Sequence, residues 1–168
     1  MKRDLLLYPD PRLRQRCAPV EVINDEVIAA AQDMIETATF QGRGIGLAAN
    51  QIGVMLRIIL LCPPEQEPRI YVNPQLRDPS AEEEVMEEGT LSLPGLRAPV
   101  KRPVAITISG LNLEGKPIEE RLTGLEARIA MHENDHINGV YFFDRSDKKD
   151  RAQLEPELRR RRKCGTGV

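Results

Sequence analysis

One stretch constrains this chain more than any other: TGLEARIAMHENDHING, residues 123–139. Thr123 with Glu126 three residues later forms a capping-box signature, and Asn138-Gly139 supplies a stop, so the stretch predicts a helix. Leu125, Ile129, His132 and His136 then fall at i, i+4, i+7 and i+11 on one face. The chain's only two histidines therefore lie on the apolar stripe that turns toward the core. Unpaired imidazoles are costly to bury there. Two imidazoles one turn apart can instead bind one ion, so the fold must wrap a metal-capable helix. Glu133 sits about 100° round the helix from His132. A carboxylate there can take a proton from a metal-activated water and return it to a leaving group.

The other segments read mostly as strands. RIILLC (57–62) is a strand buried on both faces, and IYVN (70–73) is a second. EEEVMEEG (82–89) reads as a short strand leading into the loop EEGTLS (87–92). PVAITISGLNLEGKPIEERL (103–122) alternates apolar and polar residues around an EGKP turn, the mark of a strand pair. Ahead of these, Asn24 or Asp25 caps a helix to about Thr39, with Ile28, Ala31, Ile35 and Ala38 on its stripe. That helix stops at QGRGIG (41–46). A last helical segment runs from about Ser146 to Lys163, with Pro156 expected to kink or restart it. Strands followed by a central and a tail helix predict an α+β fold rather than a doubly wound sheet. With no internal repeat and no low-complexity linker, residues 1–168 read as a single domain, 146–168 being its basic C-terminal helix and tail.

Composition narrows the function. At 40% apolar and 30% charged residues, the chain is neither disordered nor fibrous. No apolar run approaches the roughly 18 residues that span a bilayer, and MKRDLLLYPDPRLRQRC has no secretory h-region. A cytoplasmic location without membrane attachment is expected. Cys17, Cys62 and Cys164 are odd in number and stand in no metal motif, which predicts free thiols. The net charge of −2 is uneven, because residues 145–163 carry nine basic against four acidic residues. Such a tail is a solvated helix end or a contact for a polyanion such as ribosomal RNA. It lacks aromatic residues for base stacking, so sequence-specific nucleic-acid binding is not expected.

Three motifs then stand in order: GIGLAANQIG (44–53), EEGTLS (87–92) and HENDHINGV (132–140). Together with PDPRLR (9–14) and the basic closing helix, they resemble the signature motifs of peptide deformylases over nearly the whole chain. Taken singly, Gln51 is an ordinary polar turn residue and the aliphatic side chains are core. The resemblance implies a deformylase-like fold and a metal-dependent hydrolase that removes the formyl group from the initiator methionine of nascent chains. It implies that His132 and His136 bind a divalent metal, Fe2+ most commonly, with Zn2+, Ni2+ or Co2+ as substitutes. Glu133 is then the general acid/base. Gln51 and the backbone N–H of Leu91 form an oxyanion hole. Ile45 and Gly46 line the peptide cleft, and Met86, Leu125 and Ile129 shape the methionine pocket. Formylated nascent peptides are the implied partners, with ribosome contact through the basic tail.

Two positions depart from the family. Met131 stands where glutamine usually precedes the first histidine. More consequentially, Thr90 replaces the cysteine whose thiolate is the third metal ligand. A thiolate is anionic and soft; a threonine hydroxyl is neutral and hard. Three outcomes are open at position 90. Metal is held by His132, His136 and water with weak help from Thr90, and slow deformylation survives. Alternatively metal is absent and the protein is a silent relative that binds peptides. Or Glu87 or Glu88 turns inward to complete the site, although Glu88 is better placed to pair with Arg102. The intact Glu133, Gln51 and histidines favour the enzyme. A zinc protease shares HExxH but has no use for the other two motifs.

Overall fold

The computed structural model describes residues 3–40 and 45–165. The QGRG half of the expected helix stop, residues 41–44, lies outside them. Helix α1 (Asp25–Phe40) begins as expected, with the Asn24 side chain accepting from the Val27 N–H at 3.1 Å. Its buried face is turned from the expected stripe. Ala31 and Ala38 are buried as anticipated, but Val27 and Met34 join them in the core, while Ile28 and Ile35 are only partly buried.

Two antiparallel sheets frame the centre. The larger has strands β1 (Gly46–Ala48), β2 (Ile58–Leu61), β3 (Arg69–Arg77), β6 (Ala105–Leu111) and β7 (Pro117–Thr123), adjacent in that order. The smaller pairs β4 (Glu83–Glu88) with β5 (Ala98–Pro103). All four residues of β2 are buried, as its continuous apolar run requires. The EGKP turn joins β6 to β7, with the Asn112 side chain accepting from the N–H groups of Glu114 and Lys116.

The HENDH helix is α2 (Gly124–Ile137). Thr123 is its N-cap, but its side chain makes no cap hydrogen bond. Glu126 is committed elsewhere, to Arg69 at 2.5 Å, so the capping box of the sequence is not formed. At the other end Gly139 (φ +74°) sits against Arg14, whose carbonyl oxygen would lie 2.3 Å from an added Cβ. Glycine is obligatory there on both counts.

Helix α2 packs on one face of the large sheet, burying Ala127, Ala130, Met131 and Ile137 against Ile59, Tyr71, Ile106 and Ile108. Helix α1 covers the other face. A third cluster joins Val100 and Leu93 to α3 (Phe142–Arg145) and α4 (Lys148–Gly165), through Phe142, Phe143, Leu154 and Leu158. Helix α4 runs through Pro156 without interruption, so the expected restart does not occur.

Candidate active site

The stripe on α2 is open at its N-terminal end and mostly buried beyond it, with His132 only partly buried. Leu125 is 39% exposed, Ile129 is 3% and His136 is 1%. The sequence placed this whole face against the core. Its N-terminal end instead opens to the surface, which is what a cleft needs.

Each motif delivers its residues by a different element. The two imidazoles stack edge to face with centroids 4.9 Å apart. Candidate metal-binding atoms of His132, Glu133 and His136 all lie within 4.8 Å of one another. Glu88, the last residue of β4, accepts a hydrogen bond from His132 Nδ1 at 2.8 Å. Fixing Nδ1 in this way leaves Nε2 as the nitrogen free for an ion. Glu88 is itself held by Arg102 at 2.7 and 3.0 Å and by Arg128 at 2.8 Å. The pairing with Arg102 is the one expected from the sequence. Glu88 thus turns inward, but to the outer nitrogen of His132 and not to a metal position. Glu87 is exposed.

From the second motif, Thr90 Oγ1 lies 3.1 Å from His136 Nε2. From the first, Gln51 Nε2 donates to Thr90 Oγ1 at 3.0 Å and to Ser92 Oγ at 3.1 Å. The Ala48 N–H donates to Gln51 Oε1 at 2.9 Å, which fixes the orientation of the amide. Asn50 anchors the same turn to α2 through the His136 carbonyl at 2.7 Å. Leu91 follows Thr90 in a turn closed by Leu93 N–H to Thr90 C=O, and its side chain packs toward the α1 cluster.

Gly46 and Ile45 approach from β1. A Cβ on Gly46 would come within 2.6 Å of both Glu133 Oε1 and Ile129 Cγ2. Only glycine allows this strand to lie on the helix at the Glu133 carboxylate. Met86 shares its strand face with Glu88, two residues on. Ile45, Met86 and Leu125 are each 37–40% exposed, three of the six large apolar side chains standing open to solvent among the described residues.

Burial sets the electrostatics. It pushes the Glu133 carboxyl up to about 7 from an ordinary 4.5. It also drives His136 well below its usual range, with the neighbouring His132 charge adding to the effect, so the imidazole stays neutral as a metal ligand must be. For His132 burial acts downward, but the bond to Glu88 and the charge of Glu133 outweigh it and raise the group. Burial would raise Glu88 as well; its bonds to His132 and Arg102 prevail and hold it far below the ordinary carboxylate range.

The side chains present suit a metal in part. Glu133 Oε2 is buried without a hydrogen-bond partner among the described residues, an orphan that a cation would satisfy. Two imidazoles and a carboxylate are donor types that suit a divalent ion. The remaining protein donor, Thr90 Oγ1, is neutral. The sequence did not reveal that Arg128 and Asp135 belong to the supporting shell; Asp135 is tied to Arg102 at 2.9 Å and to Arg145 at 2.7 Å. A hollow of about 740 Å³ lies elsewhere, lined by residues such as Arg3, Val20, Glu26 and Val54, and includes no residue of this site.

An α+β frame that holds an HExxH helix beside an amide-donating glutamine defines a metal-dependent amidohydrolase. Residues 2–152 match the family model of polypeptide deformylase. A peptide deformylase of Rhizorhabdus wittichii is 41% identical, covering 96% of this chain and 96% of its own. A plant peptide deformylase superposes with a TM-score of 0.92 at 29% identity, covering 99% of this chain and 94% of that one. The enzyme of Thermotoga maritima gives 0.83 at 34% identity, covering 88% and 99%. The chain belongs to the polypeptide deformylase family.

Proposed function

We propose that this protein removes the N-formyl group from the N-terminal formylmethionine of nascent polypeptides, with 1–168 working as one domain. One observation carries the reading. An unbroken hydrogen-bonded path runs from Gln51 through Thr90 to His136 and so ties all three motifs into one centre.

The reaction adds water across the formyl C–N bond, yielding formate and a free α-amine. Glu133 takes a proton from the attacking water and passes it to the departing nitrogen. Its elevated range, about 7, suits a group that must both accept and return a proton. Gln51 Nε2 is held by two hydroxyls on one side, and the formyl oxygen replaces one of them as acceptor while it gains charge. The Leu91 N–H is the second donor. Ile45 and Gly46 align the peptide, and Met86, Leu125 and Ile129 receive the methionine side chain. A divalent metal held by His132 and His136, beside Thr90, supplies Lewis-acid polarisation and lowers the pKa of water. Fe2+ is the ion we assign first, with Zn2+, Ni2+ or Co2+ as substitutes.

We place this work in the cytoplasm, on chains leaving the ribosome. No helix among the described residues is long and apolar enough to cross a membrane. Exposed Lys148, Lys149, Arg159 and Arg160 on α4 offer a ribosomal contact, although Arg160 already pairs with Glu157. Replacing these four by glutamine should reduce ribosome co-sedimentation. For the chemistry, protein loaded with Co2+ should release formate from formyl-methionyl peptides and leave unformylated peptides intact. Cleavage of an internal peptide bond instead would mark a zinc protease, and no formate release would leave a silent peptide binder.

A further inference from the structure

We infer that Glu133 is itself the anionic metal ligand in this chain, supplying the negative charge that the family's cysteine thiolate supplies at position 90. The inference deepens the proposed function and rests on it for the identity of the site.

The donor count leads here. Thr90 Oγ1 is a neutral oxygen that already accepts from Gln51 and bonds with His136. Among the described residues, a single group of three His, Cys, Asp or Glu side chains converges closely enough to hold an ion, and it is His132, Glu133 and His136. The other buried carboxylates beside the histidines are committed, and Glu87 is exposed. Glu88 is saturated by His132, Arg102 and Arg128, and Asp135 is shared between Arg102 and Arg145.

Glu133 is the exception. It is 5% exposed, and its Oε2 has no hydrogen-bond partner among the described residues. Its other oxygen, Oε1, lies against Gly46. A buried carboxylate without a partner is costly, and a cation is the partner that removes the cost. A relative with a thiolate at position 90 has its anionic donor already, leaving this carboxylate free for proton transfer alone. Here one side chain serves both purposes. While its oxygen is on the ion it cannot accept a proton, so each turnover requires the carboxylate to let go.

A double-mutant cycle reads this directly. Zn2+ affinity is measured by competition with a chromophoric chelator for wild type, Glu133→Gln, Thr90→Cys and the double variant. Glu133→Gln should weaken Zn2+ binding by more than about 100-fold in the wild-type background, beyond the roughly 10–100-fold loss on removing a group that only supports a ligand. In the Thr90→Cys background the same substitution should cost less than about threefold, because the thiolate then carries the charge. Equal losses in both backgrounds, or no loss in wild type, overturn the inference. Should Glu133→Gln fail to fold, a crystal structure of the Zn2+-loaded wild type decides. A Glu133 oxygen at about 2.0–2.2 Å from the ion supports it, and one beyond bonding distance overturns it. Formate release, assayed separately, isolates the functional reading: tight Zn2+ binding through Glu133 without deformylation would sink that reading and leave the ligand assignment standing.

Discussion

Glu88 shows how much a single side chain supports here. It is 6% exposed and neutralises Arg102 and Arg128 while orienting His132. Removing it leaves the buried Arg102 with Asp135 alone and the buried Arg128 with backbone carbonyls alone, and breaking such a buried pair costs about 3–5 kcal/mol. Urea unfolding of Glu88→Ala should show a loss of that size, and a loss under about 1 kcal/mol would mean that the arginines find new partners. Gly46 acts through space rather than charge. Its missing Cβ is filled by Glu133 Oε1 and Ile129, so Gly46→Ala must displace the carboxylate. We expect kcat to fall roughly 100-fold, as a misplaced acid/base group does. Stability should drop by only about 1–3 kcal/mol from overpacking. A variant that keeps full kcat would show that the Glu133 position is not critical.

At the scale of elements, helix α2 and strands β2, β3, β4, β6 and β7 were legible from local pattern, whereas the three-residue β1 inside the glycine-rich turn and β5, with a proline in its second and last places, carry no clear repeat. The candidate site residues come by a different route, from three motifs whose joint occurrence outweighs each one's ambiguity. What stayed hidden has a common cause. The Glu88 links to His132 and Arg128 span 44 and 40 residues, and no local pattern encodes them. The same long-range pairing removed the capping box, since Arg69 draws Glu126 away from the helix start. The α1 stripe came out rotated because the helix packs Val27 and Met34 on the sheet, and local spacing alone could not choose between neighbouring apolar lines. Pro156 is expected to kink or restart the last helix, yet α4 continues through it without a restart, anchored on either side by Leu154 and Leu158 in the third core cluster.

For the whole molecule, the core divides into three apolar clusters, one of them under α2, and the thiols distinguish the folded from the unfolded chain. Cys17 is buried and Cys164 exposed, so a thiol reagent should label Cys164 at once and Cys17 only on unfolding. Burial pushes the Cys17 thiol up from 9.0 to about 11, with Arg57 opposing weakly. The unfolded chain therefore loses this proton first. Stability is full below pH 9.0 and falls as pH rises toward about 11. By about 2–3 kcal/mol in all, this component should vanish in Cys17→Ala, whose stability would decline less steeply over that interval.

The central claim is that the deformylase centre survives with threonine in place of a thiolate. Metal content and formate release, measured side by side on wild type and Thr90→Cys, test it most directly. We expect the wild type to bind divalent metal weakly and to deformylate formyl-methionyl peptides slowly, with the variant gaining in both. A wild type that stays metal-free and inert, with a variant that gains neither, would contradict the account.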